Sequence, residues 1–197
     1  MERQDIDFVE GSVNPGGMGD ELYYAFKRDI ASMPTITDDF ASAQDEEAYA
    51  VYTGNITMKT GKKFARLYNT QGEGSVDFES SGEQDGKMFK NKLSFKYPKV
   101  TDKMRAYAKA TLNSNVIYVV KHAGSFYVIG HPDYPISTTP SGTSGKKGDD
   151  AHGITIEVEA LDCTPLPRYE GTLPLSDGSL NCETGAFTPS AGNQVYE

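Results

Sequence analysis

Few residues in this 197-residue chain stand at spacings that chemistry requires. The segment PSGTSGKKG, residues 140–148, puts Gly145 and Lys146 where a phosphate-cradling loop of the form G-x-x-x-x-G-K-[ST] has its last glycine and its lysine. Pro140 stands where that loop needs its first glycine, and Lys147 replaces the hydroxyl that would reach magnesium, so the segment reads as a surface hairpin loop. Asp149, Asp150 and His152, or His131 with Asp133, offer metal-ligand atoms, but in turn-rich sequence with too few fixed ligands. The three histidines accompany no G-x-S-x-G elbow and no H-E-x-x-H. Cys163 and Cys182, nineteen residues apart without a CxxC or Cys/His pattern, are expected to be free thiols. Carboxylate pairs crowd the first fifty residues, yet that region lacks the apolar surroundings that raise a carboxyl pKa for acid catalysis. The expectation is a protein that is not an enzyme and takes no cofactor and no metal.

What remains is charge and shape. Residues 1–50 carry twelve carboxylates against three bases, while the other 147 residues hold sixteen of each, so the whole formal charge of −9 sits in the first quarter. Net charge governs association more than packing, which makes this quarter either an interaction surface or a solvated acidic arm. Hydrophobic content of 37% lies below the globular norm of about 45–50%, and twenty Gly, ten Pro, twelve Tyr and nine Phe suit a β-rich, loop-rich domain. The length fits one domain. No run approaches the roughly 20 apolar residues that span a bilayer, and MERQDIDFVE lacks the basic and apolar regions of a signal peptide, so a cytoplasmic chain without membrane insertion is expected.

The breaker cluster at 11–20 precedes a first strand expected at about 21–30, and then residues 31–47 form a long acidic connection without periodicity, of the kind that becomes an arm on a neighbouring subunit. Four β-like runs follow at 48–58, 62–71, 74–82 and 86–99, separated by KTGK, GEG and the hairpin signal Asp85-Gly86, and they read as an antiparallel meander. In the fourth run Phe89, Asn91, Leu93, Phe95 and Tyr97 share one face, and Lys90, Lys92, Ser94 and Lys96 take the other. An amphipathic helix is expected over about 101–113, with Thr101 as N-cap and Met104, Tyr107, Ala108, Thr111 and Leu112 on its apolar side. The hairpin NVIYVVKHAGSFYVIG then has two-sided apolar strands at 116–120 and 126–129, which need cover on both faces from the core and from a helix or another subunit. ITIEVEAL at 154–161 alternates once more, and after Cys163 the chain reads as coil, its four prolines arguing against a central strand.

Two complementary patches suggest self-association: the acidic quarter, with Asp38, Asp39, Glu46 and Glu47, and the basic face of Lys90, Lys92 and Lys96 with Lys103, Arg105 and Lys109 nearby. Head-to-tail contacts between such patches close into rings or stack into filaments. Ile117 and Tyr127, on the apolar hairpin, are further candidates for inter-subunit contact. An acidic pI of about 4.8 opposes tight nucleic-acid binding.

The order of these segments, above all QDGKMFKNKLSFKYP feeding the helix and VIYVVKHAGSFYVIGHPDYP after it, resembles the tail tube (major tail) proteins of tailed bacteriophages over about residues 20–173. The resemblance implies a β-sandwich or β-barrel with one flanking helix, six copies to a ring, and stacked rings enclosing the conduit for DNA ejection. It implies a virion protein assembled in a host bacterial cytoplasm, with itself and other tail proteins as partners and DNA as a transient passenger. The strand at 87–97 and the one ending near Asn69 would match channel-lining strands, and the loop at 31–47 the ring-stacking loop. The chain departs from an acidic lumen in carrying lysines on that strand. Residues 174–197 match nothing in the family and read as a C-terminal extension, mostly coil. Two other readings are a neck or tail-terminator ring and a monomeric β-sandwich module that binds a small ligand or carbohydrate.

Overall fold

The structure, a computed structural model, describes residues 16–36, 47–145 and 152–190. It is mainly β: two sheets pack face to face around one core, a helix flanks them, and neither sheet closes into a barrel. The larger sheet has the order β3 (Val51–Tyr52), β12 (Arg168–Tyr169), β9 (Ser125–Ile129), β8 (Val116–His122), β1 (Glu21–Phe26) and β5 (Ala65–Tyr68). The smaller runs β10 (Ile136–Thr143), β11 (Gly153–Asp162), β7 (Met88–Tyr97) and β6 (Ser75–Ser81), antiparallel throughout. A two-stranded pair joins β2 (Ile30–Ser32) to β4 (Thr57–Met58), and a meander of β13 (Thr172–Leu175), β14 (Gly178–Asn181) and β15 (Phe187–Pro189) ends the described chain.

Local chemistry sets the joints. Ala123 and Gly124 both adopt positive φ, which matches a two-residue turn to strand twist and closes the β8–β9 hairpin with His122 opposite Ser125. Helix α1 (Asp102–Thr111) begins as its sequence indicates, with Thr101 Oγ1 accepting the Met104 amide at 3.2 Å. Met104, Tyr107 and Thr111 are buried, whereas Leu112 lies just past the last helical turn and is 59% exposed. Tyr107 ties the helix to the core, its hydroxyl 2.8 Å from that of Tyr118, which in turn meets Thr138 Oγ1 at 3.3 Å. Burial pushes the Tyr118 phenol up to about 12 and the Tyr107 phenol further in the same direction, so both stay neutral hydrogen-bonding groups.

Between the sheets, Leu93, Phe95, Ile156 and Val158 of the smaller one meet Leu22, Val116, Tyr118 and Val120 of the larger, with the Phe95 and Tyr118 rings 6.1 Å apart. Two buried asparagines stitch loops to this core. Asn91 donates to the Thr164 carbonyl at 3.1 Å and accepts the Leu166 amide at 3.0 Å, while Asn69 accepts the Lys96 amide at 3.0 Å and donates to the Gly19 carbonyl at 3.3 Å. A buried amide with both ends satisfied fixes its loop to one position.

Four expectations change. Residues 140–143, read as the start of a surface hairpin loop, belong to β10, where their register with β11 continues from Pro140 opposite Ile156 to Thr143 opposite Gly153. The four-run meander reduces to the β6–β7 hairpin, because β5 pairs with β1, β4 with β2, and β3 lies parallel to β12. The run at 48–58 is not one strand: it opens as a 3₁₀ turn, Glu47–Ala50, and breaks at Gly54 (φ +99°) and Asn55, whose Oδ1 accepts the Thr172 amide at 2.7 Å. Finally, the chain after Cys163 is not coil. It supplies β12 to the larger sheet and then the whole meander, and the two prolines of the meander sit where a missing N–H costs nothing: Pro174 on an outer strand, where its carbonyl accepts the Phe64 amide at 2.9 Å, and Pro189 at the end of the other outer strand. Leu173, Leu175, Leu180 and Cys182 are buried in the common core, and Gly171 lies so close to Gly54 and the Tyr169 hydroxyl that a Cβ would clash with both.

Candidate functional site

The smaller sheet is the part of the molecule with a distinct working surface. Cross-strand partners share a face, so the registers put Lys90, Lys92, Ser94 and Lys96 of β7 beside Ser75, Asp77 and Glu79 of β6, Thr155, Glu157 and Glu159 of β11, and Ser137 and Thr139 of β10. The opposite face holds Asn91, Leu93, Phe95, Ile156 and Val158 and is buried in the sandwich. The alternation read in two separate strands thus becomes one polar sheet face, with a shallow groove of about 390 Å³ running over Ser75, Asp77, Lys92, Ser94, Thr139 and Glu157.

The lysines on this face are already matched within the chain. Lys92 Nζ lies 2.9 Å from Glu79 Oε1, Lys90 lies 3.8 Å from Glu79 and 3.7 Å from Glu159, and Lys96 lies 3.5 Å from Glu73. Its hydrogen bond to Lys92 holds the Glu79 carboxyl below the usual carboxylate range, and the same contact raises the Lys92 ammonium. Adding Asp77 and Glu157, the face carries four carboxylates on its strands against three lysines. The basic face expected from β7 alone is therefore a mixed one with a slight acidic excess. The acids were visible in the alternation of Glu157 and Glu159 and in the segment 75–81. The hairpin signal Asp85-Gly86 had placed β6 beside β7; what the sequence did not reveal is that β11 flanks β7 on the other side.

Replacing Lys90, Lys92 and Lys96 together by Glu reverses the charge along one side of β7. It would place seven carboxylates on one sheet face, and like charges directly opposite one another destabilise a ladder. The expected result is a clear fall in thermal stability, largest at low salt and relieved in 1 M salt, where the Debye length is about 3 Å. Unchanged melting at both salt concentrations would show that the pairs contribute nothing. The single Lys92→Ala change should be nearly silent, as exposed pairs usually are.

The remaining candidates separate. Asp38, Asp39 and Glu46 lie outside the described residues, as does most of the 31–47 connection, and Glu47 begins a 3₁₀ turn. Asp149 and Asp150 also lie outside them. Ile117 is fully buried within the protomer, which removes it as an inter-subunit contact. Tyr127 is half-buried against the core, beside the His122 ring at 6.2 Å. His131 stacks on Tyr52 at 6.4 Å and lies 3.6 Å from Asp133. Cys163 is exposed and Cys182 buried, both as free thiols, and burial pushes the Cys182 thiol up to about 12. Among the described residues no helix is long and apolar enough to cross a membrane.

The cover of the β8–β9 hairpin was assigned to a helix or another subunit, and the structure gives it to the chain's own meander. Tyr23, Val119 and Val128 share the outer face of the larger sheet with Arg66. Arg66 reaches into the meander, with Nη1 2.5 Å from Asp177 Oδ2 and its guanidinium 4.9 Å from the centre of the Phe187 ring. Beside it, burial and then the charge of Glu21, 3.1 Å away, push the Tyr23 phenol up to about 12.

Among the described residues the smaller sheet ends in two open edges. No further strand of the described residues pairs with the outer side of β6 or of β10. Pro140 sits in the middle of β10, opposite Ile156. A proline in a ladder must turn its nitrogen outward, so this edge lacks one donor at its centre.

Comparison with known proteins yields no match: no family model, no curated protein and no solved structure matches the chain.

Proposed function

We propose that this chain is a structural subunit that assembles with copies of itself into stacked rings, forming the tail tube of a tailed bacteriophage through which DNA is ejected. The observation that carries the reading is the four-stranded sheet, polar on one face, buried on the other and, among the described residues, open along both long edges. A sheet of that kind continues naturally into the same sheet of a neighbour, since unpaired edge groups seek partners. Repeated around a ring, such joining turns the polar faces of Ser, Thr and paired charges toward a common channel. A lumen of this composition suits passing DNA: affinity for the phosphate backbone comes from unpaired Lys and Arg, and here Lys90, Lys92 and Lys96 are each held by a carboxylate. The order of segments that resembles tail tube proteins supports the same assignment.

Size-exclusion chromatography with light scattering and negative-stain imaging of the purified full chain test it. Rings that stack into tubes are the expected result. Isolated rings that never stack favour a neck or terminator role, and a monomer at every concentration up to about millimolar overturns the proposal.

A further inference from the structure

The two open edges of the smaller sheet differ in a way that makes them complementary. Phe78 lies at the middle of β6, opposite Asn91, and so on the core side of the sheet. It is nevertheless 54% exposed, with the Phe89 ring edge-on at 6.2 Å. At the other edge, on the same side of the same sheet, α1 and β10 enclose a groove of about 320 Å³ lined by Val100, Arg105, Ala108, Pro140, Gly142 and Ile154. Pro140 and Gly142 face the core side there, opposite Ile156 and Ile154, and Val100 is 41% exposed.

Charge follows the same division. Residues 72–86 around β6 contain Glu73, Asp77, Glu79, Glu83 and Asp85 and no base, whereas residues 99–109 around the groove contain Lys99, Lys103, Arg105 and Lys109 with Asp102 alone opposing. The β7 lysines engage Glu73 and Glu79, with Asp77 opposite Lys92, and Arg105 is paired with Asp102; among the described residues no ion pair is made by Glu83 and Asp85 on one edge or by Lys99, Lys103 and Lys109 on the other.

We infer that Phe78 of one copy inserts into the α1–β10 groove of the next, with the acidic β6 edge meeting the basic α1 edge. The occupant is a second copy of this chain because knob and groove lie at opposite margins of one sheet, on one side of it, with opposite charge. A heterologous contact of this type repeats around a ring. It also answers the gap at Pro140, where the interrupted ladder leaves side-chain packing to set register. The inference rests on the self-assembly proposed above and names the contact that drives it.

The test uses two full-length variants, Phe78→Asp and Ala108→Glu. Phe78 is exposed and Ala108 half-buried on the helix, so each is expected to keep the wild-type circular dichroism. Each alone should weaken self-association at least about tenfold, the scale of one lost aromatic anchor. Mixed in equal amounts, they should form a heterodimer that ends in a disabled knob and a disabled groove and so grows no larger, since Ala108→Glu still offers a knob and Phe78→Asp still offers a groove. As a second measurement in a Cys163→Ser background, Phe78→Cys and Ala108→Cys should form a disulfide-linked pair on oxidation only when both are present. Tubes or rings of normal length from Phe78→Asp, without crosslinking in the mixture, overturn this contact while leaving self-assembly standing. A wild-type chain that stays monomeric overturns both.

Discussion

Replacing Ile117 by Asp is expected to unfold the protein, not merely to block its assembly. Ile117 lies on the central hairpin with 0% exposure, its neighbours on the adjoining strand including Ala25, and every residue of β8 from Val116 to Val120 is equally enclosed. A carboxylate there loses its hydration without gaining a partner, and the lost isoleucine packing adds to that cost. The combined effect of about 4 kcal/mol or more is comparable with the whole stability of a typical domain, roughly 5–15 kcal/mol. Tyr127→Asp is the control: a half-buried side chain in the middle of β9 should tolerate the change with the fold intact. Circular dichroism and urea titration of the two variants decide the matter. A native spectrum and an unchanged midpoint for Ile117→Asp would mean that the second face of β8 is open.

That second face marks the boundary of what the sequence reveals. Local signals were faithful: the alternation of β7, the Thr101 cap, the Ala123-Gly124 turn and the two-sided apolarity of β8 all correspond to the structure. Each depends on residues within about one turn or one strand of one another. The need for cover over β8 was equally legible. The identity of the cover was not, because TLPLSDGSLNCETG carries only short apolar alternations between prolines and glycines and gives no strand signal by itself. Its leucines become core residues only through long-range contact, such as the bridge of Leu175 to Phe64 more than a hundred residues away. The same limit explains the lysine face. Lys90, Lys92 and Lys96 look basic along β7; the hairpin signal before it brings in the acids of β6, but no local pattern states that β11, with Glu157 and Glu159, lies on its other side. A charge assigned to a strand is thus a weaker inference than a charge assigned to a sheet.

Truncation after Glu170 provides the strongest test of the meander's role. If residues 171–197 lay outside the domain, their removal would leave stability unchanged. The structure instead buries Leu173, Leu175 and Leu180 beneath β13–β14 and lays this layer over the outer face of Tyr23, Val119 and Val128. Each buried leucine is worth about 1.5–3 kcal/mol, so the three together contribute on the order of 5–9 kcal/mol before the newly exposed sheet face is counted. With about 2–4 °C per kcal/mol in a domain of this size, a truncated chain that still folds should melt at least about 10 °C lower, and aggregation through the uncovered hairpin is the expected companion. Arg66→Ala separates the two contributions within the intact chain: it breaks the ion pair with Asp177 and the contact with Phe187 while leaving the leucines in place, and it should lower the midpoint by only a few degrees. Equal melting of wild type and truncation would detach the meander from the core. A large loss from Arg66→Ala with little from truncation is incompatible with apolar cover, since the arginine's partners lie within the removed segment.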